Sequence, residues 1–171
     1  MADLARTGSA RALRRHAGHQ TGAVRELLGF VLAGDAYAVD LTRIREILTP
    51  PPLTRVPRAA ADVLGLCSVR GLLVTVLDLR RCVGVAESAP TRRTRLLLTE
   101  AEGGEVLGLL VDEVHQVVRL GHGEVEPASS LGADMGDHVM GVGRRDGAMI
   151  VILDLAVLLA RRPSGAGVRD G

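Results

Sequence analysis

The sequence predicts a mainly β protein of barrel type, divided into two similar subdomains. Short apolar runs at 27–33, 36–39, 66–69, 73–77, 95–99, 106–111 and 149–153 are separated by close turn signals. Long helices do not alternate with these runs, which argues against a doubly wound sheet. One unit also occurs twice. Val74-Thr75-Val76-Leu77-Asp78-Leu79 returns as Ile150-Val151-Ile152-Leu153-Asp154-Leu155. Arg70-Gly71 precedes the first copy only, so the asymmetry marks a place where function can sit.

Taken in order, residues 1–26 are polar, Arg-rich and interrupted by glycine, which predicts a flexible tail. Gly34-Asp35 between the first two strands is a tight hairpin signal. Asp40 then predicts a helix cap for 40–48, where Leu41, Ile44, Ile47 and Leu48 fall on one helical face. Pro50-Pro51-Pro52 ends it, because proline lacks the amide donor and clashes with the preceding turn. A short piece at 59–64 follows. Gly103-Gly104 and Arg145-Asp146-Gly147 mark two further hairpins. A terminal helix runs from its cap, Asp154, to about Arg161, and 163–171 is disordered by composition. The folded domain is therefore 27–162. The pattern leaves open which half of the chain supplies the first strand of each barrel.

Composition narrows the function. In 171 residues, apolar side chains reach 47% while aromatics are 1%, so the core is Val, Leu, Ile and Ala. Two aromatics, Phe30 and Tyr37, give no base-stacking platform. A formal charge of +1 predicts no strong pull toward polyanions. An RNA-binding barrel rests on the basic tail alone and is the weakest reading. Cys67 and Cys82 are too few for a disulfide framework and read as buried reduced thiols. No apolar stretch approaches the roughly 20 residues of a membrane span. The start lacks the apolar centre of a secretory signal, and the expected location is the cytoplasm.

No catalytic constellation emerges. Gly-x-Ser-x-Gly is absent, and a Walker-type lysine is impossible in a chain without lysine. His16 and His19 lie three apart without further ligands, so neither metal nor other cofactor is expected. His115 reads as a surface or hydrogen-bonded histidine, and Asp112-Glu113 as a strand end entering a turn. Glu46 and Arg70 are more informative. Glu46 stands between apolar Ile44 and Ile47, and Arg70 at a strand end beside Gly71, where a partner backbone can approach closely. If the two meet, the guanidinium fork can grip the carboxylate and orient a groove wall. The alternative is an ordinary surface pair of little energetic weight.

At this point the residues resemble the CheW family of chemotaxis coupling proteins. The landmarks are 30–40 (FVLAGDAYAVD), 44–47 (IREI), Val56-Pro57, 65–80 (GLCSVRGLLVTVLDLR), 108–117 (GLLVDEVHQV) and 152–159 (ILDLAVLL). Their order and spacing make the set specific. The resemblance covers about 28–161 and implies two five-stranded SH3-like barrels with a groove between them. It also implies an adaptor without catalysis that links chemoreceptor cytoplasmic hairpins to the regulatory domain of a CheA-type histidine kinase. Such a protein meets the membrane only through receptors and binds no nucleic acid. Carried over by position, Glu46, Arg70, Gly71, Ile44 and Gly65 would line the receptor side. Gly108, Val111 and Asp112 would belong to the second repeat or the kinase interface.

Three positions depart from the family pattern. Ser68 stands where Asn is frequent, Thr75 where Pro is frequent in the strand, and Ala60 where Pro is frequent after Val-Pro. A serine can make one bond but loses the paired geometry of an amide. These departures raise an alternative: a paralogue that competes for kinase sites or serves a non-flagellar array.

Overall fold

A computed structural model describes residues 24–132 and 134–161. The tails expected at 1–26 and 163–171 lie outside them, except for 24–26. The mainly β expectation holds. Eleven strands form two sheets among the described residues. The first strands are β1 (Arg25–Leu32), β2 (Asp35–Asp40), β3 (Ile44–Leu48), β4 (Val63–Val69) and β5 (Leu72–Asp78). After the short helix α1 (Leu79–Val83) come β6 (Arg95–Glu100), β7 (Val106–Val111) and β8 (Glu113–Leu120). The chain ends with β9 (Val125–Pro127), β10 (Val139–Arg145), β11 (Ala148–Leu153) and α2 (Leu155–Ala160).

One sheet has the order β3-β6-β7-β5-β4, the other β8-β1-β2-β11-β10-β9. The second therefore has six strands where five were expected, because the three-residue β9 extends its edge. The question left open by the pattern is also answered. β1 and β2 join the C-terminal strands, so the six-stranded sheet combines both ends of the described chain, whereas the five-stranded sheet is built from the continuous stretch 44–111.

The repeated unit is a repeated structure. β4–β5–α1 and β10–β11–α2 are each an antiparallel hairpin followed by an Asp-capped helix. β5 then pairs in parallel with β7, and β11 in parallel with β2. Asp78 accepts from the Arg80 amide and Asp154 from the Val157 amide, each satisfying a donor at a helix start.

Both faces of each sheet are apolar, which explains why the strands read as nearly continuous hydrophobic runs. Cys67, Val74, Val76, Leu96, Leu98 and Leu110 fill the five-stranded sheet's own interior. Leu27, Ala38, Val118, Leu120, Ile150 and Ile152 fill that of the six-stranded sheet. A third core between the sheets includes Leu28, Phe30, Tyr37, Leu77, Leu97, Leu109, Leu153 and Leu158. Leu96 and Leu97 show the principle: neighbours on one strand serve different cores because side chains alternate across a sheet.

The helix expected over 40–48 is not formed. Asp40 caps one 3-10 turn, Leu41–Arg43, and the chain continues as β3. A bulge between Ile44 and Glu46 explains the misleading spacing. It inserts one residue, so Ile44 opposite Thr99 and Ile47 opposite Leu97 share a face although they are three apart. Pairing with β6 satisfies this backbone, whereas an isolated helix of this length is marginal in water. Asp35 also belongs to β2, so the first hairpin turns on Ala33-Gly34, with Leu32 opposite Asp35. β8, β9, β10 and α1 were absent from the sequence expectation. Asp112-Glu113, expected as a strand end entering a turn, instead leads directly from β7 into β8.

Candidate functional site

Arg70 and Gly71 form the two-residue turn of the β4–β5 hairpin, with Val69 opposite Leu72. Their φ angles are 49° and 78°, the left-handed pair that a type I′ turn requires. Gly71 adopts this conformation without the Cβ conflict that Arg70 bears. The turn projects Arg70 over the end of the five-stranded sheet toward β3. There the bulge places Glu46 opposite Leu98, on the face that fills the sheet's own interior.

The two side chains meet. Arg70 Nη1 and Nη2 donate to Glu46 Oε2 and Oε1, a bidentate fork. These bonds hold the Glu46 carboxyl below its ordinary value and raise the Arg70 guanidinium. Arg70 remains 73% exposed while Glu46 is 30% exposed, so the guanidinium presents donors to the outside while the carboxylate anchors it. Apolar shoulders flank the pair in sequence: Ile47, Leu72 and Leu73 are 41%, 51% and 66% exposed. The arrangement holds an oriented, exposed cation at the end of the five-stranded sheet.

The other residues singled out by resemblance occupy separate positions in the fold. Ile44 is partly buried against the core between the sheets. Gly65 is buried, and a Cβ there would lie 2.4 Å from the Thr54 carbonyl oxygen. That approach lets Thr54 exchange two backbone hydrogen bonds with Leu66, both 2.8 Å. Gly108 lies on β7, where a Cβ would press on the Leu96 side chain. Val111 is buried between the sheets. Asp112 joins β7 to β8, and its Oδ2 accepts from the Ala33 amide at 2.8 Å.

Arg80 was not distinguished by the sequence from its neighbour Arg81. It is buried, and Nε and Nη2 both donate to Asp78 at 2.9 Å. Its Nη1 reaches the Ser88 carbonyl at 2.7 Å and Asp112 Oδ1 at 2.9 Å. Hydrogen bonding to Asp78 is the main reason its basicity is raised, against the opposing effect of burial. The available signal was Asp78-Leu79-Arg80, an Asp cap with a cation two residues on.

No disulfide joins Cys67 and Cys82; Cys67 is buried as expected but Cys82 only partly so, and burial pushes the Cys67 thiol up. His115 is half exposed beside Glu113, as a surface histidine should be. A cleft of about 410 Å³ is lined by Asp62, Arg81, Cys82, His138 and Arg161, with Ala61 and Leu158. Its arginines are engaged, Arg81 with Glu87 and the Ala61 carbonyl, Arg161 with Asp137. No cluster suited to a metal ion occurs among the described residues. None of their helices is long and apolar enough to cross a membrane.

The comparisons with known proteins agree with this fold. A chemotaxis protein CheW of Rhizobium meliloti is 29% identical over 138 residues, covering 80% of this chain and 88% of that protein. A chemotaxis protein CheW of Bacillus subtilis is 26% identical over 146 residues, covering 85% and 93%. The crystal structure of the scaffolding protein TtCheW from Thermoanaerobacter tengcongensis superposes with a TM-score of 0.71 at 26% identity, covering 78% of this chain and 91% of that one. The CheW-like domain matches residues 26–162. With the domain match spanning most of its length and the same two-sheet fold, the chain belongs to the CheW family.

Proposed function

We propose that this non-catalytic chemotaxis scaffolding protein is a cytoplasmic adaptor holding a chemoreceptor cytoplasmic hairpin and the regulatory domain of a CheA-type histidine kinase in fixed geometry. The bidentate Glu46–Arg70 pair, flanked in sequence by exposed Ile47, Leu72 and Leu73, carries the reading. A helical hairpin offers an apolar stripe beside acceptor groups. The oriented guanidinium can bond such acceptors while the neighbouring leucines cover the stripe. Gly71 keeps the turn tight, and Ile44 and Gly65 set the strands behind it.

Gly108, Val111 and Asp112 serve the kinase side in this reading, Gly108 through the packing inside the five-stranded sheet and Val111 and Asp112 at the junction of the two sheets. The test is capture of a purified receptor hairpin and a purified kinase regulatory domain by the folded protein. Binding to both is expected, and a folded protein that binds neither overturns the proposal.

Ser68 supports a second reading. It is exposed on β4 two residues before Arg70, where the family frequently has Asn. A paralogue with altered receptor contacts would occupy kinase sites without coupling them, or serve a non-flagellar array. Adding the protein to a reconstituted array would then lower receptor-dependent kinase activity; a rise rejects competition.

A further inference from the structure

The chain passes between the two sheets at two places among the described residues. It crosses first through Leu41–Arg43, from β2 to β3, and returns through Asp112, from β7 to β8. The first crossing is tied by its neighbours. Asp40 accepts from the Thr42 amide and hydroxyl, and the buried Thr99 hydroxyl donates to the Arg43 carbonyl at 2.7 Å.

The second crossing is one residue long, and its side chain is held from both sides. Asp112 Oδ1 accepts from Arg80, which belongs to α1 of the five-stranded half. Its Oδ2 accepts from the Ala33 amide, in the β1–β2 turn of the other sheet. The Asp112 amide also donates to the Val31 carbonyl at 3.1 Å. Asp78 fixes the guanidinium through its other edge, so Arg80 cannot swing with Asp112.

We infer that Arg80 and Asp112 form a clasp that sets the angle between the two barrels, with Arg80 as its positioning residue. The apolar core between the sheets holds them together but is non-directional. Charge-assisted hydrogen bonds are directional, so the clasp can select one orientation among those the core tolerates. Any partner touching both barrels then meets a fixed angle. That consequence rests on the adaptor reading, whereas the clasp itself is a property of the isolated chain.

Residual dipolar couplings and backbone amide exchange on the isolated protein test the assignment without any partner. In the natural sequence, one alignment tensor should fit the amides of both sheets. Asp112→Ala leaves the Asp78–Arg80 contact in place and removes the arm reaching Ala33. The two sheets should then need separate tensors. Exchange at Ala33 should rise at least about tenfold, the scale of one lost hydrogen bond. The Leu109 and Ile152 amides should keep their protection, showing that both barrels remain folded.

Asp112→Asn is the milder variant. Its amide nitrogen must face either Arg80 or Ala33, so one arm is lost and an intermediate result is expected. Should the alanine variant unfold, the asparagine variant decides. A common tensor with natural exchange at Ala33 in a folded variant overturns the clasp.

Discussion

Glu46 and Arg70 join the two terminal strands of the five-stranded sheet: Glu46 lies on β3, and Arg70 on the turn that ends β4. The contact therefore closes the end of a barrel as well as orienting an exposed guanidinium. Separating these roles needs a substitution that respects the turn. Asparagine tolerates the positive φ at position 70 and suits a type I′ turn before glycine. Arg70→Asn should preserve the hairpin and shift the melting temperature little, while receptor-hairpin affinity falls at least about fivefold, as for a central interface Arg. Melting followed by circular dichroism, alongside binding isotherms, checks both. A large melting shift with a proportionate binding loss would make Arg70 structural.

The same variant should release the Glu46 carboxyl. Its folded-state pKa is depressed by the Arg70 hydrogen bonds from an ordinary 4.5, so the stabilisation is present above that value and is lost as pH falls through the depressed one. NMR titration should show Glu46 titrating below 4.5 in the natural protein and returning toward it in Arg70→Asn. Titration at the same pH in both proteins would show that the pair does not persist in solution.

Gly65→Ala should be strongly destabilising. Its φ is 155°, and the added Cβ would lie 2.4 Å from the Thr54 carbonyl oxygen. Backbone strain and overpacking each cost about 1–3 kcal/mol, and here they act together. Urea unfolding should show the loss in the midpoint, and a natural midpoint would refute the close approach.

Thr99→Val tests the first crossing between sheets. The isosteric change removes the hydroxyl that donates to the Arg43 carbonyl, with Thr99 wholly buried. The acceptor is only partly buried, so the lost hydrogen bond should cost about 1 kcal/mol. Denaturant titration should report that loss, with faster exchange in β3 than in β7.

His138 predicts a pH dependence of its own. Burial first, then the nearby Arg161, lower its pKa from an ordinary 6.5, with Asp137 opposing. The unfolded chain therefore binds a proton more readily than the folded one as pH falls through 6.5. Stability should be unaffected by this group above that range and decline below it, down to the depressed folded value. His138→Gln should flatten that part of the stability profile, measured by urea midpoints between pH 7.5 and about 5. An unchanged slope would remove His138 as its cause.

The region around residues 40–48 shows where sequence reading met its limit. Spacing by three is shared by a helix face and a bulged strand, and the pairing partner that decides between them lies some fifty residues away on β6. Arg80 illustrates the same limit for the site, because its importance comes from Asp112, a residue 32 positions distant in the chain. Glu46 and Arg70 were legible because a charged residue among apolar neighbours and an Arg-Gly turn are local patterns. Their meeting was stated in the sequence only as a condition.

By itself the sequence determined the β class, the duplicated strand-Asp-Leu unit, most turn positions and the family. All of these are encoded in local periodicity and in side-chain chemistry over a few residues. Only the tertiary structure decided which strands share a sheet, that Ile44–Leu48 is a strand, and that Arg80 and Asp112 hold the crossing. Those outcomes depend on backbone pairing and burial between distant segments, where two local readings compete and the long-range hydrogen bonds select one.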